Sequence, residues 1–388
     1  MREWFDNTPD RRGSGSYKWD SAPQPDMIPL WVADMDFATA PCVTDALRRR
    51  VDHGVFGYTL VGQDYYAALR EWFSRRHGYT IDTSMVIYTS GVVPAISAII
   101  QGLCAPGDGV IVQTPVYNCF FSSVRNSRCR LVDAPLRRVD VGDGRFTYEM
   151  DFDALERAAS SADVKLMLLC NPHNPAGRCW RRHELERVAE ICHRHGVRVV
   201  SDEIHCELTA PGTEYVPYAT VDPEAIVCLS PSKAFNTAGL QIANIVCPDP
   251  EVRQAVDRAI NINEVCDVNP FGVEALKAAY SPAGEQWLNE LRDYLFENYR
   301  YVAGVFGREL PACPVSVLEA TYLPWVDVSA TGLRSALLEQ MLKDSARVWV
   351  NSGDMYGSEG YIRLNIACRQ ALLREAVDRL VGELKKLV

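Results

Sequence analysis

The chain has 388 residues, 47% of them hydrophobic and 23% charged, with a formal net charge of −10 and thirteen cysteines. The length exceeds one ordinary core and predicts two domains, and the acidic balance, with no dense Lys/Arg block to offset it, excludes nucleic acid as a natural partner. The cysteine count is odd, the residues are scattered and no CxxC pair occurs, which argues against a disulfide framework or zinc ribbon and for a reducing cytoplasm. No stretch approaches the roughly 20 apolar residues of a membrane helix, and the charged start MREWFDNTPDRRGSG lacks the apolar core of a signal peptide, so a cytoplasmic protein away from membranes is expected.

The first 49 residues are irregular and rich in Trp and Pro; Trp19, Trp31 and Phe37 line either a pocket or a domain interface. From about residue 85 short apolar runs (MVIY, GVIVQ, KLMLLC, VRVVSD, AIVCLS, ANIVCP) alternate with longer amphipathic stretches such as PAISAIIQGL and HELERVAEICHRHG. Such runs read as strands buried on both faces, and their alternation with helices predicts parallel βαβ units. A long helix near 270–300 then bridges to a strand pair, VSVLEATYLPWVDV and YIRLNIA, and a terminal helix. The expectation is a large α/β domain over residues 50–285 and a small α+β domain built from 1–49 and 286–388.

In parallel α/β sheets ligands bind beyond the carboxyl ends of the strands, and the unusual polar residues here follow the apolar runs. After MVIYTS, Gly91-Val92-Val93-Pro94 opens an apolar helix whose free amides suit an anion, although alone it reads as a plain strand-to-helix turn. After KLMLLC, the phrase NPHNPAGR fixes a rigid loop that presents Asn174, and a structural turn accounts for it equally well. After VRVV, Ser201-Asp202-Glu203-Ile204-His205 offers acid–base or helix-capping groups; it lacks a second histidine or cysteine at ligand spacing, so no metal is expected. After AIVCL, SPSKAFN places Lys233 between serines. A lysine partly desolvated at a strand end has a lowered pKa and becomes a nucleophile, while an isolated SxSK would be a surface loop.

A Schiff-base lysine, an aspartate for a pyridinium nitrogen, and amides with hydroxyls for a phosphate make up a pyridoxal phosphate (PLP) site. With RRGSGSYKWD, IPLWVADMDF, NPHNPAGR, SDEIHCEL, SPSKAFNTAGLQ and EATYLPWVD in that order, almost the whole chain resembles the fold type I PLP enzymes, the aspartate aminotransferase superfamily. The resemblance is to the branch of bacterial cystathionine β-lyases, or carbon–sulfur lyases. It implies a large domain with a mostly parallel seven-stranded sheet between helices, plus the small α+β domain.

By that resemblance Lys233 would hold PLP and later remove the substrate α-proton, and Asp202 would keep the ring nitrogen protonated. Asn174 and His205 would bond the ring hydroxyl, and Tyr117 would stack on the ring. The backbone at Gly91, Val92 and Val93 with Ser230 and Ser232 would hold the phosphate, and Tyr58 would reach the phosphate of a neighbouring subunit, which implies a homodimer with shared active sites. Arg363, with Asn174 nearby, would take the substrate carboxylate. Gln241 stands where aminotransferases usually place a phosphate-binding arginine. The implied reaction is α,β-elimination of L-cystathionine or a related L-cysteine S-conjugate to thiol, pyruvate and ammonia. The alternatives are an aminotransferase on the same scaffold and a regulatory or binding protein that keeps the scaffold without turnover.

Overall fold

The computed structural model describes residues 3–262, 264 and 267–388. Seven strands build the central sheet: β1 (Val86–Thr89), β2 (Gly109–Val112), β3 (Arg130–Asp133), β4 (Val164–Cys170), β5 (Arg198–Asp202), β6 (Ile226–Leu229) and β7 (Ala243–Val246). Their spatial order is β1-β7-β6-β5-β4-β2-β3. All neighbouring pairs are parallel except those of β7, which runs antiparallel to both β1 and β6.

The apolar runs are continuous because both faces are covered. Val110, Val112, Leu166, Leu168 and Ile226 pack on one side with Ile96 and Ile99 of the helix Val92–Leu103. The intervening Ile111, Met167, Leu169 and Val199 pack on the other side with Leu185, Val188 and Ile191 of the helix Arg182–Arg194. Alternate residues of one strand thus serve two cores, the signature of a sheet between helices.

A second sheet of six strands runs in the order Asn351–Ser352, Tyr361–Arg363, Trp325–Asp327, Val315–Ser316, Arg145–Glu149 and Arg137–Gly142. Its last two members come from the middle of the chain. Ile28–Pro29 also pairs in parallel with Val348–Trp349, which brings the first and last parts of the chain together.

The long helix expected near 270–300 is two helices, Pro270–Ala279 and Pro282–Glu309. Ser281 is extended (φ −98°, ψ 167°) because the residue before a proline is pushed out of the helical region, and its side chain caps the second helix at the Gly284 N–H. That second helix buries Trp287, Leu291, Leu295 and Val302 under the C-terminal sheet and helix.

Candidate active site

The carboxyl ends of β1, β4, β5 and β6 lie on one edge of the sheet, and the loops leaving them enclose a cavity of about 180 Å³. Its lining includes Gly91, Val92 and Val93 after β1, Asn174 after β4, Asp202 and His205 at the end of β5, and Ser232 and Lys233 after β6. Tyr117, in the loop after β2, closes another wall.

Lys233 is half-buried, and its Nζ donates to the Ala33 carbonyl at 2.7 Å. Burial and the nearby Arg363 cation push its pKa down from 10.5 to about 8, against the pull of Asp34 and Asp202. Asp202 is buried and accepts one hydrogen bond, from the Ile204 N–H at 3.1 Å. Burial raises its pKa from 3.8 to about 6. His205 is buried with no partner for Nδ1, and burial holds its ring well below the usual imidazole range, hence neutral. Burial likewise keeps the Tyr117 hydroxyl protonated.

The helix Val92–Leu103 starts at Gly91 with no side-chain cap, so its first amide N–H groups and the positive end of its dipole are free to face the cavity beside Ser90 and Ser232. Gly91 itself is extended, and a Cβ there would sit 3.3 Å from Pro94 Cδ. Arg363 joins the cavity through Asn174: its Nη1 donates to Asn174 Oδ1 at 3.1 Å and its Nη2 to the Trp31 carbonyl at 3.0 Å. Nε is buried without a partner, and the guanidinium lies 4.7 Å over the Tyr356 ring.

Two sequence candidates stand apart from this group. Ser230 does not line the cavity: it is buried, its hydroxyl donates to the Ile242 carbonyl at 2.6 Å and accepts from the Ser232 N–H at 3.1 Å. Its hydroxyl thus braces the loop that carries Ser232 and Lys233. Tyr58 is 96% exposed and touches no part of the cavity in a single subunit. Gln241 is also exposed, in a left-handed conformation (φ 51°), and does not line the cavity.

Other contributors were not singled out in the sequence. Ser90 is one, and the hydroxyl directly before Gly91 was a usable signal. Ala33 is another, but it acts through its carbonyl, which no side-chain pattern reports.

The set fits one kind of ligand. An amine able to condense with an aldehyde, a buried carboxylate short of partners for a ring cation, an unpartnered neutral imidazole, and uncapped helix amides for a phosphate converge on one small cavity.

The family profile described as aminotransferase class I and II matches residues 25–380. The chain belongs to this family. Among similar members, cystathionine beta-lyase PatB of Bacillus subtilis is 38% identical over 390 residues, covering 98% of this chain and 99% of the relative. Protein MalY of Escherichia coli is 33% identical with 98% of both chains covered. Among solved structures, cystalysin from Treponema denticola, which contains a pyridoxal 5'-phosphate cofactor, superposes with a TM-score of 0.94 at 31% identity, covering 99% of each chain.

Proposed function

We propose that the protein is a PLP-dependent carbon–sulfur β-lyase that converts L-cystathionine or a related L-cysteine S-conjugate to thiol, pyruvate and ammonia. The observation that carries the reading is the cavity where the Lys233 amine, lowered to about 8, faces the same space as the under-partnered Asp202 carboxylate. The names of similar relatives, PatB and cystalysin among them, support the lyase branch over other chemistry on this fold.

When bound, PLP supplies an electron sink for the charge left at the substrate α-carbon. The protein's residues do the rest. Lys233 Nζ, largely unprotonated above pH 8, takes the α-proton. Asp202 holds a proton at the ring nitrogen, since its carboxylate gains a cationic partner there. Arg363 takes the substrate carboxylate, and a guanidinium fork suits that group better than an ammonium. Tyr117 would cover the ring, Asn174 and His205 would bond its hydroxyl, and the amides of Val92 and Val93 with Ser232 would hold the phosphate.

The site is completed by a second copy in this reading. Tyr58 lies in a stretch with exposed Val55, Phe56 and Leu60, an apolar surface that a homodimer would cover, and from there Tyr58 would enter the partner's cavity. In this reading residues 50–285 form the larger unit and the two chain ends the smaller one, to whose sheet strands Arg137–Gly142 and Arg145–Glu149 cross. Among the described residues no helix is long and apolar enough to cross a membrane, and twelve cysteines are free thiols, which supports a cytoplasmic location.

The test is a substrate panel on purified protein with PLP. Pyruvate with free thiol from cystathionine, or with the hydropersulfide thiocysteine from cystine, supports the reading; turnover of an amino acid only when a keto acid is added would replace it with transamination.

A further inference from the structure

Two sequence phrases, RRGSGSYKWD and WVADMDF, supply no side chain to the chemistry above, yet they lock together beside it. Residues 31–37 form a strap with two carbonyls turned to working cations. The Ala33 carbonyl accepts from Lys233 Nζ at 2.7 Å and from the Tyr322 hydroxyl at 2.9 Å. The Trp31 carbonyl accepts from Arg363 Nη2 at 3.0 Å and from Asn351 Nδ2 at 2.9 Å. One short segment therefore holds both the amine and the guanidinium.

The strap is also stitched to the two motifs that carry those cations. Asn236, of SPSKAFN, accepts from the Met35 N–H at 2.9 Å and donates to the carbonyls of Met35 and Phe37 at 2.9 and 2.8 Å. Asn365, of YIRLNIA, donates to the carbonyls of Val32 and Asp34, the latter at 2.6 Å.

From the N-terminal segment, charged side chains grip the strap's carboxylates. Arg11 makes a fork on Asp34, Nη1 to Oδ1 at 3.1 Å and Nη2 to Oδ2 at 2.6 Å, and adds Asp36 Oδ1 at 3.0 Å and the Met35 carbonyl at 2.9 Å. Lys18 Nζ and Trp19 Nε1 reach Asp36 Oδ1 at 3.0 and 2.8 Å. The Lys18 side chain is 0% exposed. Burying a lysine is costly even when it is paired, and apolar residues of similar volume anchor a segment as well or better. Anchoring alone therefore does not account for these charges, whereas short charge-assisted bonds fix the angle and height of a segment in a way apolar packing does not.

We propose that Arg11, Lys18 and Trp19 are positioning residues: by gripping Asp34 and Asp36 they fix the strap whose Ala33 and Trp31 carbonyls set the spacing between the Lys233 amine and the Arg363 guanidinium. The inference rests on the proposed function only in taking Lys233 and Arg363 as the working pair. A displacement of about 1 Å at reacting groups costs up to roughly a hundredfold in rate, so the strap need move little to matter.

The test has one arm without cofactor and one with it. In full-length protein without added PLP, trace acetylation read by peptide mass spectrometry reports the freedom of the Lys233 amine, with Lys277, paired to Asp64 and Glu274, as the control. Arg11→Gln is expected to raise Lys233 labelling by about threefold to tenfold, the size of one lost hydrogen bond, with Lys277 unchanged. With PLP and an S-conjugate, the same variant is expected to lose about tenfold to a hundredfold in kcat/KM, and Arg11→Lys to recover part of it by keeping the charge without the fork. Asp34→Asn, of the same shape, gives the same reading should Arg11→Gln fail to fold. Unchanged Lys233 labelling, or a rise shared equally by Lys277, overturns the proposal and leaves the cluster as a plain anchor. Wild-type protein that releases no pyruvate would sink the proposed function instead, and the labelling arm would still decide the strap.

Discussion

Replacing Asp202 by asparagine separates what this residue costs the fold from what it gives the reaction. Its folded-state pKa is raised, from 3.8 to about 6, chiefly by burial. Between about pH 4 and 6 the folded chain keeps a proton that the unfolded chain has released, so stability falls as pH rises through that window and the full cost is present above it. Two units correspond to about 3 kcal/mol at pH 8 and to about half that at pH 5. Glu203, pushed up to about 7 by its own burial, adds a similar slope that both proteins share. Without cofactor, Asp202→Asn is therefore more stable than wild type at pH 8 by up to about 3 kcal/mol, or about 4 °C in Tm for a chain of this size, and the gap narrows toward pH 5. Added PLP reverses the order, because the wild-type carboxylate gains a cationic partner and the amide does not. Activity falls by about 10²–10³, as for loss of one oriented electrostatic partner. Thermal melts at pH 5, 6 and 8 with and without PLP, alongside pyruvate release, measure each part. A variant less stable than wild type at pH 8 without cofactor, or a gap that does not shrink on acidification, refutes the reasoning.

Lys233 titrates in the opposite sense. Its folded pKa is lowered to about 8, so the amine loses its proton while an unfolded lysine still holds one, and PLP capture read by visible absorbance rises about tenfold per pH unit below 8 and levels off above it. A flat profile from pH 6 to 9, or a covalent band that survives Lys233→Ala, contradicts this assignment. Arg363→Lys keeps the charge and loses the fork; KM rises by about 10- to 100-fold with a smaller change in kcat, measured by steady-state kinetics. Mixing Lys233→Ala and Tyr58→Ala subunits restores activity in the hybrid dimer, where one cavity regains both residues; mixtures no more active than the parents exclude Tyr58 from a shared site.

Much of the large sheet was legible because strands buried on both faces carry unbroken apolar runs, as in GVIV and IVCL. The direction of β7 was not, since ANIV has the same composition whichever way it runs. Strand Arg137–Gly142 escaped notice because it is almost wholly exposed, with only Val139 half-buried and no buried residue to give it a period. The site was legible where a residue acts through its side chain at a strand end, as with Lys233 and Asp202. At Ser230 residue type indicated a hydroxyl but not that it bonds inward to the Ile242 carbonyl. The site was missed at Ala33 and Trp31, whose contributions are carbonyls held in place by distant charges.

In the proposed function this cavity directs elimination at a carbon–sulfur bond. Holoenzyme given L-cystathionine and a panel of L-cysteine S-conjugates, with pyruvate, ammonia and free thiol followed together, is predicted to release the three in equal amounts with no keto acid added. Absence of thiol and pyruvate across the panel, with turnover appearing only when a 2-oxo acid is supplied, would contradict it.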